Sequence, residues 1–345
     1  MVRFERIAEI LRQRLAAGDY TLRTFPAERD LADELGASYL TARKAVQLLI
    51  GEGLLRRSAR GRAEPVVQDP RPVIAYLGPD WPSPWSLQLR QAIQQAAEAG
   101  GFAFRTQHYL HWDDPCIAEL QRRAAGVLFV PLAEDPPERL LAGLRDGAAR
   151  VLVSSSDLAS QGLHTLDRLP ASAVRVALDH LAECGHRRIL VFNVQPADPT
   201  IRTRLDEAQV WARCHPEVEV VLAGTAVASG QNPWLAARNQ SRAVLGAADH
   251  PTAVLGLTLP AAQGIVRAAA DLGVQPGRQL AVVTIDGEEL AEHLVPSLTA
   301  VDYDPADLAR IMGEAVTWMR GGAWGAPAAH PCRPLLRVRE STRRG

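Results

Sequence analysis

A run of polar and basic side chains near the N-terminus has the composition of a surface that reads DNA. Small and apolar residues recur at helical spacing between Ala42 and Leu49, which leaves the intervening positions on the opposite helix face. The guanidinium of Arg43 could bond both major-groove acceptors of a guanine, whereas Lys44 is suited to neutralising a phosphate. This pattern predicts a recognition helix whose DNA-facing residues are Ser38, Tyr39, Thr41, Arg43, Lys44 and Gln47.

Two more arginines lie close behind this helix, at Arg60 and Arg62. They stand in a short polar segment between two extended pieces, 54–57 and 65–67, which is the pattern of a hairpin. Arginines at a hairpin tip are placed to neutralise phosphates, so their contribution to DNA affinity should fall as salt rises. We therefore predict a wing that carries both arginines to the DNA backbone.

Three short helices must position these side chains. Gly18 ends the first helix, Pro26 opens the second and Ser38 caps the third. We predict that residues 1–68 form a winged helix-turn-helix and that 69–72, which contains two prolines, is a stiff linker. The alternative is a small helical domain whose arginines are merely solvated.

Beyond the linker, short apolar runs alternate with helical segments. This alternation is typical of parallel strands covered by helices on both faces, so the predicted class is a multidomain α/β protein. Two blocks of about four strands predict two lobes, with a ligand cleft at the carboxyl ends of the strands. Within 73–345, lobe 1 is expected at about 73–165 and 298–327, and lobe 2 at about 166–297 and 328–345.

The composition sets limits on function. The chain has 345 residues and a formal net charge of −1, so any contact with nucleic acid must come from a local basic patch. No segment resembles a secretion signal or a membrane span, and we expect a cytoplasmic protein with no membrane partner. The four cysteines are scattered, which favours reduced thiols over a metal site, and no cofactor is expected.

Enzymatic motifs with convincing spacing are absent from the sequence. There is no G-x-x-x-x-G-K, no G-x-S-x-G and no H-E-x-x-H. His108 and His111 lie three residues apart without an evident third ligand, so we assign them surface or packing roles. The serines at 154–156 have no assignable base, so we interpret these serines as cleft lining. The sequence therefore predicts a binding protein and not an enzyme, with no catalytic residue.

The N-terminal segment resembles the GntR family of winged-helix repressors. The resemblance rests on proline-any-glutamate-arginine at 26–29, glycine-any-serine at 36–38 and threonine-any-arginine at 41–43, and it continues through 44–46, 48–49 and 52–55. It implies that Arg29, Arg43 and Gly61 approach DNA. Three positions depart from the family pattern, namely Tyr39, Ala59 and Arg62, and they leave the operator sequence open.

The remainder, from Val73 onward, is similar to the sensor domain of the lactose and galactose repressors, which is related to periplasmic sugar-binding proteins. The similarity is carried by 185–189, by the Arg204-Leu205 pair and by 336–342, while Ser83-Pro84-Trp85 occupies the place of the family's asparagine-proline-phenylalanine. It implies an effector site in which Arg204 binds hydroxyl groups and Trp85 flanks the ligand. Asp157 and Asp286 would add acceptors.

One departure bears on the effector. Where the family has asparagine-aspartate after a strand, this chain has Thr258-Leu259, so a principal acceptor for sugar hydroxyls is missing. We predict a homodimeric repressor that binds double-stranded operator DNA and a small-molecule effector, sugar or sugar-like, between two lobes, with Thr258 among the effector contacts. Two alternatives remain: sensor lobes that only dimerise, and a second domain that has become an enzyme.

Overall fold

The computed structural model describes residues 3–20, 24–66, 71–80, 84–155, 157–196, 198–228, 231–247, 249–287 and 289–343. Over these residues the chain forms an N-terminal helical unit followed by two six-stranded sheets. Separate apolar clusters lie on the two faces of each sheet, because helices cover both faces. The predicted α/β class with a helix-turn-helix region is confirmed.

The N-terminal unit comprises α1 (Arg3–Ala17), α2 (Glu28–Glu34), α3 (Tyr39–Gly51) and the hairpin β1 (Leu55–Arg57) and β2 (Ala63–Pro65). Leu11, Leu31 and Leu49 are fully buried where the three helices meet. The Ser38 hydroxyl accepts a hydrogen bond from the backbone N of Thr41 at 3.2 Å, so Ser38 caps α3 as predicted. Helix α2 begins at Glu28, two residues after the proline expected to open it.

The first sheet is built from apolar runs that are buried on both faces, as in β3. Its elements up to residue 167 are β3 (Val73–Pro79), α4 (Pro84–Ala99), β4 (Ala103–Tyr109), α5 (Pro115–Arg123), β5 (Gly126–Phe129), α6 (Glu138–Asp146), β6 (Arg150–Ser154) and β7 (His164–Asp167). The chain then enters the second sheet. Its elements are α7 (Ser172–Glu183), β8 (Arg188–Phe192), α8 (Pro199–Cys214), β9 (Glu219–Ala223), α9 (Pro233–Leu245), β10 (Ala253–Gly256), α10 (Leu259–Asp271), β11 (Ala281–Ile285) and β12 (Thr299–Tyr303).

Three final elements complete both sheets: α11 (Pro305–Met319), β13 (Ala329–Pro331) and β14 (Pro334–Arg337). The first sheet has the order β13-β7-β6-β5-β3-β4 and is parallel throughout. The second has the order β14-β12-β11-β10-β8-β9, in which only β14 is antiparallel to its neighbour. The chain therefore passes between the sheets three times: after β7, after β12 and after β13.

The lobe segments differ from the predicted ones at two strands. Strand β12 pairs with β11 in the second sheet, although 298–327 was assigned to lobe 1. Strand β13 pairs with β7 in the first sheet, although 328–345 was assigned to lobe 2. Apolar runs identify strands but not their partners, and these two short strands lie next to crossings, so their sheet could not be inferred from the pattern.

The N-terminal unit contacts the first sheet unit through Thr24, which precedes α2. The Thr24 hydroxyl donates to Oε1 of Glu119 at 2.7 Å and accepts from Nη2 of Arg123 at 3.0 Å. Glu119 and Arg123 are one turn apart on α5 and lie 3.5 Å from each other. A polar contact therefore joins the helical unit to α5, in addition to the covalent connection.

The part of the chain that the structure describes contains no helix that is long and apolar enough to span a membrane. The four cysteines are free thiols. No group of three or more histidine, cysteine, aspartate or glutamate side chains within the described ranges is placed to hold a metal ion. His108 and His111 accordingly have no third ligand among the described residues.

Candidate functional site

The exposed face of α3 presents the side chains that the sequence assigns to DNA. Arg43, Lys44 and Gln47 are exposed, while Ala42, Ala45, Val46 and Leu49 on the other face are buried. Tyr39, at the start of α3, donates from its hydroxyl to Oε2 of Glu28 at 3.1 Å. The amphipathic pattern of α3 thus fixes the orientation of Arg43 and Lys44, because rotating the helix would expose its apolar face.

The wing is braced by the same glutamate. Arg57 on β1 donates to Oε1 of Glu28 at 2.6 Å and to the carbonyl O of Gly61 at 2.9 Å. Gly61 has a φ of 77°, a left-handed conformation that suits glycine at the tip. Arg60 and Arg62 are exposed on either side of it. Glu28 therefore links the start of α3 to the wing tip and holds both parts of the predicted DNA surface together.

The basic side chains of the N-terminal unit differ in whether a carboxylate neutralises them. Arg12, Arg14 and Arg57 each lie within 3.0 Å of a carboxylate oxygen. Arg56 lies 3.7 Å from Glu64. A second group has no carboxylate within 4.0 Å among the described residues, and it consists of Arg3 and Arg6 on α1 and of Arg29, Arg43, Lys44, Arg60 and Arg62. The last five belong to the set predicted to contact DNA, and they leave an uncompensated positive surface on a chain of net charge −1.

A second cluster of charged side chains lies where the chain passes between the two sheets. Arg204 on α8 is only 5% exposed, and its Nη1 donates to the carbonyl O of Leu257 at 2.8 Å. The Nε atom of Arg204 is buried without a hydrogen-bond partner in the described part of the chain. Burial lowers the pKa of Arg204, and the nearby Asp286 opposes that shift.

Arg168 lies beside Arg204 and was not predicted. Its Nη2 donates to Oδ2 of Asp286 at 2.7 Å. Its guanidinium carbon lies 4.9 Å from the centre of the Tyr303 ring and 5.7 Å from that of the Trp85 ring, within the range of cation–π attraction. Tyr303 in turn donates from its hydroxyl to Oε1 of Gln88 at 2.9 Å.

Two further aspartates border the buried arginines. Burial raises the pKa of Asp167 to about 6, with Arg204 opposing the rise. Burial also raises the pKa of Asp198, which caps α8 by accepting a hydrogen bond from the backbone N of Ile201 at 2.8 Å. The cluster therefore holds two arginines and three aspartates, and such a set can bind polar groups by donating and accepting hydrogen bonds.

The structure brings together most of the predicted effector residues. Trp85 and Asp286 meet through Arg168, and Thr258 follows Leu257, the residue whose carbonyl receives Arg204. The Thr258 hydroxyl is buried without a hydrogen-bond partner in the described ranges.

Asp157 is placed differently, because it is exposed and its described contacts are local, with Ser155 and Ser160. Ser156 and Ser83 lie outside the described residues.

The residues that the sequence analysis missed share one position in the topology. Asp167, Arg168 and Tyr303 lie at the carboxyl ends of β7 and β12, where the chain leaves one sheet for the other. In parallel α/β sheets ligands bind at carboxyl ends. A charged residue directly after an extended apolar run was therefore a usable signal, but the sequence pattern had not identified β7 or β12 as strands.

Comparison with known proteins adds two matched regions. Residues 3–64 match the family model described as bacterial regulatory proteins of the gntR family. Residues 178–342 match the model described as a periplasmic binding protein-like domain.

Among solved structures, a LacI family transcriptional regulator from Mycobacterium smegmatis is similar at 22% identity and a TM-score of 0.62, over 78% of this chain and 98% of that chain. The lac repressor dimer bound to operator and the anti-inducer ONPF is similar at 17% identity and a TM-score of 0.65, over 80% of this chain and 95% of that chain. A LacI family transcriptional regulator from Enterococcus faecium with bound ribose is similar at 17% identity and a TM-score of 0.61, over 78% of this chain and 98% of that chain. Similarity at these identities shows the fold. The chain thus joins a region that matches the GntR family of bacterial regulators to a two-sheet region with the fold of LacI family regulators.

Proposed function

We propose that this protein is a DNA-binding transcription repressor whose affinity for operator DNA is controlled by a small molecule bound between two lobes. The observation that carries the proposal is the uncompensated basic surface formed by α3 and the wing. Carboxylates neutralise Arg12, Arg14 and Arg57 but leave Arg43 and Lys44 free for DNA. In this proposal Arg43 reads a base edge, and Arg29, Lys44, Arg60 and Arg62 contact phosphates.

The proposed division of the chain follows from this function. Residues 1–68 bind DNA, 69–72 connect, and 73–345 bind the effector and a second copy. Asp69 and Pro70 lie outside the described residues. Communication between the parts would use this connector together with the contact from Thr24 to Glu119 and Arg123, because α5 belongs to the first sheet unit.

A homodimer fits this proposal, because a two-fold operator presents two half-sites to two recognition helices. The second sheet unit exposes an apolar patch beside a groove of about 540 Å³ lined in part by Trp234, Val266 and Leu294. Val295 at its rim is 92% exposed. Exposed apolar side chains beside a groove can be covered by a partner, and we propose a second copy of this chain as that partner.

The effector would bind in the cleft bordered by Arg204, Asp286 and Thr258. A sugar is the leading class, since one solved neighbour holds ribose. Binding without turnover is proposed, and the site of action is the cytoplasm, where operator DNA resides. A thermal-shift screen of sugars, sugar phosphates and nucleosides tests this part, because a ligand of the folded state raises Tm by mass action. Arg204→Ala should abolish the shift and keep operator binding.

A second candidate is a DNA-binding regulator whose lobes only dimerise. Thr258-Leu259 favours it, because no carboxylate is available at these two positions to accept hydroxyl groups. In that case no compound in the screen shifts Tm, while operator binding and dimerisation persist. A compound that is bound and then chemically converted would instead point to an enzyme.

A further inference from the structure

Two aromatic rings and a carboxylate converge on Arg168, which directly follows β7. Trp85 comes from α4 of the first sheet unit, Asp286 follows β11 of the second, and Tyr303 ends β12. The Arg168 guanidinium contacts all three, at 5.7 Å, 2.7 Å and 4.9 Å respectively. Trp85, Asp286 and Tyr303 are together called the ring slot below. Two aromatic faces and an anion are the groups that bind a planar cation.

The ring slot is well ordered by its neighbours. The side chain of Arg168 is 10% exposed and that of Asp286 is 20% exposed, so both ions are largely removed from water. Tyr303 is held by its hydrogen bond to Gln88. Asp286 directly follows β11 and has a φ of 64°, an uncommon backbone conformation for a residue other than glycine.

A ligand ring cannot stack on Trp85 and Tyr303 while the guanidinium covers them. Displacing Arg168 would break its ion pair with Asp286, and breaking a largely buried ion pair costs free energy because it leaves a buried charge without its partner. Arg204 has a buried Nε with no partner in the described ranges, and the Thr258 hydroxyl and Asp286 Oδ1 are also unpartnered there. The polar atoms that can still receive a ligand therefore lie at Arg204, Thr258 and one oxygen of Asp286, whereas the guanidinium of Arg168 covers the two rings.

We propose that Arg168 is a specificity-determining residue that occupies the ring slot as a built-in ligand. It excludes effectors that must stack on Trp85 and Tyr303, and it restricts the effector of the intact protein to ligands held by hydrogen bonds at Arg204 and Thr258. The inference rests on the cleft being the effector site of the proposed regulator. It also implies that removal of Arg168 converts the ring slot into a site for a free planar cation.

The test uses methylguanidinium chloride as the probe and the full-length protein. Arg168→Ala should bind the probe saturably in calorimetry, and Tm should rise relative to the same concentration of sodium chloride. The unsubstituted protein should show neither effect. Adding Asp286→Asn to Arg168→Ala should remove most of the binding, because the anion of the ring slot is gone. Arg202→Ala is the matched control, since Arg202 is a half-exposed arginine that pairs with Asp135 at 3.3 Å.

The outcomes decide between the possibilities. Equal responses of the unsubstituted protein, Arg202→Ala and Arg168→Ala would overturn the proposal, as would an Arg168→Ala protein that folds and does not bind the probe. If Arg168→Ala does not fold, Arg168→Gln replaces it as the test variant. It keeps a planar polar group against the rings but removes the cation, so it should still bind the probe saturably, though weakly. Absence of saturable binding to Arg168→Gln would then count against the proposal. Probe binding requires no DNA, so failure of operator binding would overturn the proposed function and leave this result intact.

Discussion

Arg43 on α3 and Arg168 at the end of β7 lie in opposite environments. Arg43 is exposed and has no carboxylate within reach in the described residues, whereas Arg168 is almost buried and is bound to Asp286 and two rings. An exposed and uncompensated cation is available to a polyanion, while a buried and compensated one organises a site. Pairing and burial, more than residue type, thus distinguish the two proposed roles.

The largest effect on stability should come from Asp286→Asn. Asparagine tolerates the left-handed backbone at this position, so the change removes charge with little effect on the backbone. It leaves Arg168 nearly buried without its carboxylate, which should lower the free energy of unfolding by about 3 kcal/mol. Urea denaturation measures the effect. Glu314→Gln is the control, because the exposed Arg310–Glu314 pair should contribute no more than about 0.5 kcal/mol.

If Asp286→Asn and Glu314→Gln lowered the free energy of unfolding equally, the contrast between buried and exposed ion pairs would be contradicted.

The next largest effect should be on operator affinity, when an exposed arginine of α3 is removed. Arg43→Ala should weaken specific operator binding by ~10–100-fold, the cost of losing a bidentate contact to one base. Arg12→Ala should change operator affinity little, because Arg12 pairs with Glu52 at 2.9 Å. Fluorescence anisotropy with labelled promoter DNA gives both affinities. A similar loss in the two variants would show that net charge, and not the face of α3, governs binding.

The pH dependence of stability should be set in part by Asp167. Its pKa is raised to about 6 in the folded protein, above its ordinary value of 3.8. The unfolded chain therefore loses this proton more readily, so the contribution of Asp167 to stability is present below pH 4 and is lost as pH rises to about 6. Asp167→Asn should flatten this decline and raise stability at pH 7 by about 2 kcal/mol or less. A steeper decline in the variant would contradict the assignment.

The smallest effect is expected at the wing. Arg60→Ala should reduce affinity for specific and nonspecific DNA alike by a few-fold and lower the magnitude of the salt slope by about one. The basis is that Arg60 is exposed at a hairpin tip and suits a phosphate better than a base. Binding isotherms at several salt concentrations measure the slope. Loss of sequence preference without a change in slope would instead assign Arg60 to base readout.

The exposed face of α3 was predictable from sequence because its signals are local. Ser38 caps α3, and the alternation of buried and exposed positions along α3 fixes which side chains face outward. The proposed effector site was only partly predictable. Trp85, Arg204 and Asp286 were identified through resemblance, but the role of Arg168 depends on residues that are distant in sequence and meet only through the crossings between sheets. Local patterns carry no information about such meetings.

The most direct measurement is a titration of the full-length protein with DNA from upstream of its own gene, at two salt concentrations, against a scrambled duplex of equal length. The protein should bind saturably, should prefer the promoter DNA by at least ~10³-fold and should bind more weakly as salt rises. Equal affinity for both duplexes, or no binding at low salt, would contradict the proposal that α3 and the wing form a sequence-reading surface.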